Sequence, residues 1–286
     1  MQLVSTISSA LPPSLPGIAG GAFTAYQLLA TAASYKAETN AESRTQYSKF
    51  ATNANADGTE VAAAPAATWS SRVGMLVIYT PALVASLALL VLGSVPEGSP
   101  AAALSIPPPS PAAVLCALHF AKRVGEVLVV HKYSGRVDRN VPSFIGFYYA
   151  IIAVLIGLVS DPNPSEVARK VGTALFGVGL AGNLYHHQLL ANLRGTSSSG
   201  SETTEKKYVA PKGGLFRYVA APHYLFELIG WLGMAIVSNH LNVYLVFASM
   251  CSYLSGRSVG QNEFNRKKFS NDEWPENRKN LIPFIF

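Results

Sequence analysis

The chain has 286 residues, of which 49% are hydrophobic and only 13% are charged. A soluble domain carries about 25% charged residues, so this composition argues against a soluble fold. The formal net charge is +6. The basic residues are spread between apolar blocks and do not mark one face of a soluble domain, so the charge does not indicate a nucleic-acid partner.

Charged residues are absent from several long blocks of the sequence. No Lys, Arg, Asp or Glu occurs in 73–96, 140–160 or 171–193, and 218–256 contains only Glu227. Each block is at least as long as the roughly 20 residues that a helix needs to cross a bilayer. The sequence therefore predicts an all-α integral membrane protein.

Seven transmembrane helices are predicted, and the first is an Ala/Gly-rich span that is expected to be retained. A cleavable signal would need a basic start, and no charged residue precedes Lys36. The predicted spans are 15–33, 73–95, 111–131, 141–160, 169–193, 217–238 and 240–256.

The positions of the basic residues orient these spans. The loops after the odd-numbered spans and the C-terminal tail carry most of the 22 Lys and Arg residues, whereas 96–111 carries none. Positively charged loops stay on the cytoplasmic side. The N-terminus is therefore expected to be lumenal and the C-terminus cytoplasmic.

The third span contains ionisable residues, which cost about 2.5–3.5 kcal/mol each at the centre of a membrane helix. They are His119, Lys122, Arg123 and Glu126. Spacings of three and four place His119, Arg123 and Glu126 on one face. Two interpretations stay open: an internal Arg123–Glu126 ion pair that locks helices together, or an arginine directed at a ligand.

The fifth span carries a polar stripe. Asn183, His187 and Arg194 share a helical face, which suits contact with a cofactor. The adjacent His186 and His187 could suggest a metal, but neighbours on a helix point about 100° apart. Because no nearby Cys or carboxylate adds ligands, no metal is expected.

A glycine pair opens the sixth span. Lys212, Gly213 and Gly214 precede an apolar helix, and backbone N–H groups at a helix start favour an anion such as a phosphate. His223 and Glu227 follow on one face, four residues apart. Glu227 is expected either to accept hydrogen bonds from a nicotinamide or adenine, or to pair with a cation near either end of the spans, Arg217 or Arg257.

Several of these segments together resemble one family. The segments that carry the resemblance are 118–123, 130–135, 182–194, 212–216, 222–227, 256–258 and 281–286. In this order they are similar to the steroid 5-alpha-reductase family, and most similar to plant steroid 5-alpha-reductase-like proteins and very-long-chain trans-2-enoyl-CoA reductases. The similarity covers about residues 70–286.

The resemblance implies a multi-pass enzyme of the endoplasmic reticulum membrane that uses NADPH. It makes 111–286 the catalytic membrane domain and leaves 1–110 as an N-terminal region of two spans and a polar loop. The cofactor-binding positions that it implies are Asn183, His187, Arg194, Tyr208, Gly213, Gly214, His223, Glu227 and Arg257.

The chain departs from the family pattern where the carbonyl is activated. Phe120 stands where steroid reductases have a tyrosine, and Tyr79 aligns with their span-two glutamate. Two further positions differ: His187 replaces an aspartate, as in the enoyl-CoA reductases, and Asn265 replaces a tyrosine of the tail. The expected catalytic residues are Tyr79, His119 and Arg123, with Tyr79 as the proton donor.

The predicted reaction is NADPH-dependent reduction of the C=C bond in an α,β-unsaturated carbonyl lipid. The absence of the ubiquitin-like domain of the enoyl-CoA reductases favours a 3-oxo-Δ4 sterol or steroid over a trans-2-enoyl-CoA. The expected partners are this lipid substrate, membrane lipids, and enzymes of fatty-acid elongation or sterol pathways. The alternatives are an S-adenosylmethionine-dependent membrane methyltransferase and a non-catalytic lipid-binding protein.

Overall fold

The fold is a helical bundle, seen in a computed structural model that describes residues 11–45, 67–196 and 209–286. Seven α-helices lie within these ranges: α1 Gly17–Thr39, α2 Ser71–Gly93, α3 Pro111–Gly125, α4 Asn140–Val159, α5 Glu166–Thr196, α6 Pro222–Ser238 and α7 Leu241–Lys268. Two short antiparallel strands, β1 Thr68–Ser70 and β2 Arg136–Asp138, join the starts of α2 and α4.

Local sequence signals set the helix ends. The Ser70 hydroxyl accepts a hydrogen bond from the Val73 amide at the start of α2, and Ser110 accepts one from Ala113 at the start of α3. These serines satisfy N–H groups that have no partner inside the helix. Asn239 ends α6 in the left-handed conformation, with φ of 50°.

The seven helices occur in the order of the seven predicted spans. Among the described residues, α2 and α4 are long and apolar enough to cross a bilayer, and most of their apolar windows are not buried. The core helix of a soluble protein would be mostly buried. The largest differences from the predicted bounds are in three helices. Helix α1 extends to Thr39, α6 begins only at Pro222 after a 3₁₀ turn over Gly214–Arg217, and α7 extends to Lys268 along a polar sequence.

Close backbone contact joins α5 to α6 in an antiparallel pair. A Cβ atom on Gly179 would lie 2.3 Å from the Gly230 amide, and one on Gly233 would lie 2.4 Å from the Gly172 oxygen. Small residues allow membrane helices to approach this closely. The polar stripe of α5 is therefore held against the helix that carries His223 and Glu227.

A ladder of polar side chains joins α1 to α7, and the two helices run parallel. At its start, the Asn242 side chain accepts a hydrogen bond from the Leu15 amide at 3.0 Å. It donates to Thr24 Oγ1 at 2.8 Å and to Gln27 Oε1 at 2.7 Å. Asn242 is fully buried, so one amide satisfies three polar groups at the edge of the bundle.

The ladder continues about two and three turns further along α7. Thr31 and Ser249 share a hydrogen bond of 2.6 Å, and the Ser34 hydroxyl donates to Ser252 Oγ at 2.8 Å. Partner numbers rise together along both helices, which fixes the parallel direction. Polar side chains that pair in this way are tolerated between helices in a lipid environment.

We expect Asn242→Leu to lower the free energy of unfolding by about 1–3 kcal/mol, because it leaves buried polar groups of α1 without a partner. Ser249→Ala is the control. It should cost only about 0.6 kcal/mol, the average for a hydrogen bond between membrane helices, since the Thr31 hydroxyl also donates to the Gln27 carbonyl at 2.7 Å. Thermal unfolding in detergent would measure both, and equal losses would contradict the central role of Asn242.

Candidate active site

A buried carboxylate, that of Glu126, organises the polar centre of the bundle. Lys122 Nζ lies 2.7 Å from its Oε1 and Arg123 NH1 lies 2.5 Å from its Oε2. His187 Nδ1 of α5 lies 3.0 Å from Oε1. The Glu126 side chain is only 2% exposed. The Arg123–Glu126 ion pair that was one of the two interpretations of the third span is therefore present.

A wide turn at the end of α3 places Glu126. The helix continues through Glu126–Val130 as a π-helical turn, and the His131 amide donates to the Glu126 carbonyl at 2.8 Å. Such turns are often found at functional sites. The turn also brings the His131 ring to 4.8 Å from the His187 ring.

Arg123 connects the carboxylate to a phenol on α2. Its NH2 donates to the Tyr79 hydroxyl at 2.5 Å, and its guanidinium carbon lies 4.6 Å from the centre of the Tyr79 ring. Tyr79 is buried and stacks on Tyr149 of α4, with ring centres 6.0 Å apart. Two of the three predicted catalytic residues, Tyr79 and Arg123, are thus in direct contact.

Lys122 extends the cluster to α5 and α6. Its ammonium group donates to Asn183 Oδ1, and Asn183 Nδ2 donates to the His223 carbonyl at 2.8 Å. The His223 ring lies 5.4 Å from the His187 ring. Predicted cofactor residues of α5 and α6 therefore share one polar region with the charged residues of α3.

Glu227 faces the third predicted catalytic residue. Its Oε1 lies 3.4 Å from His119 Nε2, and its side chain is 16% exposed. The Glu227 carboxylate thus contacts the His119 ring, and not the Arg217 or Arg257 that the sequence offered. The His119 ring also packs against Phe120 and Trp231, at 5.0 and 5.1 Å between ring centres.

The glycine pair lies against α5. Gly214 has φ of 55°, and a Cβ atom there would lie 2.8 Å from His186 Nε2. The same nitrogen accepts a hydrogen bond from the Leu215 amide at 3.1 Å, while His186 Nδ1 donates to the Gly182 carbonyl. His186 therefore fixes the turn, and packing against α5 is itself a reason for glycine at Gly213 and Gly214.

One predicted cofactor residue, Arg257, lies away from this cluster. Arg257 is buried between α1 and α7, where its NH1 donates to Glu38 Oε2 at 3.2 Å and to the Thr45 carbonyl at 2.7 Å. Tyr208 lies outside the described residues, as does the side chain of Arg194 at the end of α5.

The donor set of Glu126, His131 and His187 could hold a metal by distance alone, since its ligand atoms lie within 4.8 Å of one another. The positive charges beside this donor set argue against a metal. Lys122 and Arg123 already contact the Glu126 carboxylate, and a third positive charge at the same oxygens would be repelled. We interpret the group as an ion-pair cluster.

Sequence reasoning placed Glu126 next to Arg123 but named neither Glu126 nor Lys122 among the site residues. The signal was available, because Lys122 and Glu126 are four residues apart and face each other on a helix. The contacts between α3 and α5 had no such signal, since residues on different helices meet only after packing.

The second half of the cluster lies in a stretch that matches a known family. Residues 132–286, slightly more than half of the chain, match the family described as 3-oxo-5-alpha-steroid 4-dehydrogenase. The chain belongs to this family. The matched stretch includes Asn183, His187, His223 and Glu227, whereas the residues of α2 and α3 precede it.

Members of the 3-oxo-5-alpha-steroid 4-dehydrogenase family and an enoyl-CoA reductase are similar to the chain. A very-long-chain enoyl-CoA reductase of Dictyostelium discoideum is 30% identical over 182 residues, which is 60% of this chain and 57% of that protein. A 3-oxo-5-alpha-steroid 4-dehydrogenase 2 of Macaca fascicularis is 36% identical over 142 residues, or 49% and 52%. A steroid 5-alpha-reductase DET2 of Solanum lycopersicum is 34% identical over 116 residues, or 41% and 42%. The chain thus spans about half the length of these relatives.

Glu126→Gln should lower the free energy of unfolding by about 3–5 kcal/mol, because Lys122 and Arg123 would then be buried without a counter-charge. Glu166→Gln is a matched control. Glu166 also pairs with a lysine four residues away, at 2.6 Å, but both side chains are about two-thirds exposed, and such surface pairs contribute little.

Unfolding of both variants in detergent would measure the difference. A second change, Lys122→Met in the Glu126→Gln background, should restore part of the lost stability because it removes one uncompensated charge. Equal stability of the two single variants would contradict a structural role for the carboxylate.

Proposed function

We propose that the protein reduces the C=C bond of an α,β-unsaturated carbonyl lipid with NADPH. The observation that carries this proposal is the buried contact of Arg123 with Tyr79 on one side and with Glu126 on the other. It places a hydroxyl donor next to a cation inside an apolar bundle. Developing negative charge on a substrate oxygen is stabilised most strongly in such an environment.

The residues around this contact fit a nicotinamide cofactor. Two buried donors, Arg123 Nε and Trp231 Nε1, have no hydrogen-bond partner among the described residues. Amide, imidazole and carboxylate groups lie in the same polar region, and the carboxamide of a nicotinamide has both donors and acceptors for them. We propose that Asn183, His187, His223 and Glu227 hold the cofactor, and that the resemblance adds Arg194, Tyr208, Gly213, Gly214 and Arg257. When bound, NADPH supplies the hydride.

Tyr79 is proposed as the proton donor. Hydride addition at the β-carbon of the substrate pushes the C=C electron pair toward the carbonyl, and its oxygen gains negative charge. The Tyr79 hydroxyl donates a hydrogen bond to that oxygen and then a proton, which gives an enol. The enol gains a proton from water at the α-carbon and returns its oxygen-bound proton to the Tyr79 phenolate, so the saturated carbonyl forms and the donor is restored. Arg123, which donates to the same hydroxyl at 2.5 Å, stabilises the negative charge left on the phenol oxygen.

His119 and the aromatic residues around it complete the site. The His119–Glu227 pair provides a second group that can hold a proton close to the cofactor residues. Phe120 is fully buried and its ring lies 6.5 Å from Trp231 and 5.5 Å from Tyr149. These rings form an apolar wall that excludes water from the reacting carbons.

We propose a 3-oxo-Δ4 sterol or steroid as the first substrate class, which agrees with the names of most of the similar proteins. A trans-2-enoyl-CoA is the second candidate, because the enoyl-CoA reductase of Dictyostelium discoideum aligns over the longest stretch among the relatives named above. The two classes share the conjugated carbonyl, so the same proton donor serves either.

The seven helices are proposed to cross the endoplasmic reticulum membrane, with a lumenal N-terminus and a cytoplasmic C-terminus. The parallel direction of α1 and α7 supports this, because the first and seventh of seven successive crossings run the same way. The distribution of Lys and Arg supplies the orientation.

Tyr79→Phe should reduce turnover by about 10²–10³-fold while NADPH binding is retained, since it removes one donor to the developing oxyanion. Microsomes that contain the full chain would be incubated with NADPH and either a 3-oxo-Δ4 steroid or a trans-2-enoyl-CoA. Mass spectrometry would detect a product that has gained two hydrogens.

Tyr148→Phe, which removes a neighbouring hydroxyl outside the Arg123 contact, should leave turnover nearly unchanged. Full activity of Tyr79→Phe would reject Tyr79 as the donor.

Retention of S-adenosylmethionine instead of NADPH by the purified protein would reject the reductase, and retention of neither would favour a non-catalytic lipid-binding protein.

The orientation can be tested with single cysteines after Cys116 and Cys251 are changed to serine. Asp272→Cys, in the exposed segment after α7, should react with a membrane-impermeant thiol reagent in sealed microsomes. Ala103→Cys, exposed in the loop after α2, should react only after the membrane is opened. The reverse pattern would place the tail in the lumen and contradict the proposed topology.

A further inference from the structure

The segment after α7 forms a small basic cavity whose lining includes none of the proposed reductase residues. Its volume is about 280 Å³. Three cations line it, Arg266, Arg278 and Lys279, against one acid, Glu276. The cavity therefore has an excess of positive charge and suits an anion.

Buried hydrogen bonds hold the walls of this cavity in place. The Trp274 ring nitrogen donates to Asn262 Oδ1 at 2.8 Å, and both residues are 1% exposed. Asn262 Nδ2 donates in turn to the Arg278 carbonyl and to Asn280 Oδ1, each at 2.8 Å. The Ala220 amide donates to the Lys279 carbonyl at 2.8 Å. The cavity is thus tied to α7 and to the residues just before α6.

Arg278 lies at the wall of this cavity and stacks on Trp274. Its guanidinium carbon lies 3.8 Å from the centre of the Trp274 ring, and partial burial lowers the pKa of the guanidinium. The side chain is only half-buried, so part of it stays accessible to an anion in the cavity. Arg266 is held beside it, since its NH2 donates to the Glu276 carbonyl at 2.7 Å.

Exposed apolar side chains lie beside the cations. Ile285 and Phe286 line the same cavity, and Phe284 and Ile285 are 77% and 75% exposed. Phe284 adopts φ of 66°, which is unfavourable for a residue with a side chain. The main-chain oxygen of Phe286 accepts hydrogen bonds from the Leu281 and Ile282 amides, so the loop keeps this conformation and presents the two side chains outward.

We infer that this cavity binds the phosphate of an anionic phospholipid headgroup. Phosphate is an acceptor that arginine recognises through paired N–H groups. Exposed aromatic and aliphatic side chains next to a basic cluster are typical of insertion at a membrane surface that carries anionic lipids. A soluble phosphate would use the cations but would leave Phe284 and Ile285 exposed to water, which is why the lipid is the better occupant.

The test uses the full chain in neutral detergent and tritiated dioctanoyl phosphatidic acid as the probe. Arg278→Gln should raise the dissociation constant about five-fold, as expected for the loss of one cation at a lipid phosphate. Lys279→Gln should act in the same direction. Lys170→Gln is the matched control, because Lys170 is 71% exposed on α5 and does not line the cavity, and its variant should bind like the original chain.

Changing an exposed apolar side chain distinguishes the two sources of phosphate, a lipid headgroup and a soluble phosphate. Phe284→Ser should raise the dissociation constant of the lipid probe. It should leave the dissociation constant of glycerol 3-phosphate, measured by competition, unchanged. Displacement of the lipid by glycerol 3-phosphate at equal concentration would overturn the headgroup assignment in favour of a soluble phosphate. Unchanged binding in Lys279→Gln and Arg278→Gln, or an equal loss in Lys170→Gln, would overturn the site itself. If Arg278→Gln fails to fold, Lys279→Gln alone decides, since its side chain is exposed.

Discussion

The site depends on one buried negative charge. Glu126 is surrounded by apolar helices, and an isolated carboxylate there would cost several kcal/mol. Lys122, Arg123 and His187 all lie within 3.0 Å of its oxygens. Two of these partners contact a further residue: Arg123 donates to Tyr79, and Lys122 donates to Asn183. The contacts that neutralise this single carboxylate therefore fix the relative positions of α2, α3, α5 and α6.

The polar residues of the bundle serve two separate purposes. Those around Glu126 converge on a region with unsatisfied donors, which suits a ligand. Those between α1 and α7 largely satisfy one another, and Arg257 with Glu38 extends this joint. Arg257 is buried to 1% exposure, so its first role in the fold is to attach the N-terminal helix. A cofactor role for Arg257 would need a second function of the same side chain.

Much of the architecture followed from the sequence. Long uncharged blocks with known minimum lengths predicted helices that the structure has in the same order, because the hydrophobic demand of each block does not depend on its neighbours. The helix ends were less predictable. The extension of α7 through Lys268 adds polar turns whose stability comes from contacts such as Asn262 with Trp274.

The site was predictable only where its residues share a helix. The spacing of Arg123 and Glu126 indicated their pair, and that pair is present. The Tyr79–Arg123 contact joins residues 44 positions apart, and no local pattern encodes it. The same holds for Glu227, where the sequence offered arginines and the structure supplies His119. Pairing across helices is decided by packing, which a linear pattern does not contain.

The parallel ladder of α1 and α7 also sets the order in which the protein can be assembled. Thr24 meets its partner Asn242 after 218 further residues have been synthesised. At about 5–20 residues per second, roughly 10 to 40 s pass during which the polar face of α1 has no native partner. For that time the nascent helix must be sheltered by the insertion machinery or remain at the water interface. Helix α1 is translated before the other described helices and is therefore among the last of them to be secured, so a truncated chain would expose it.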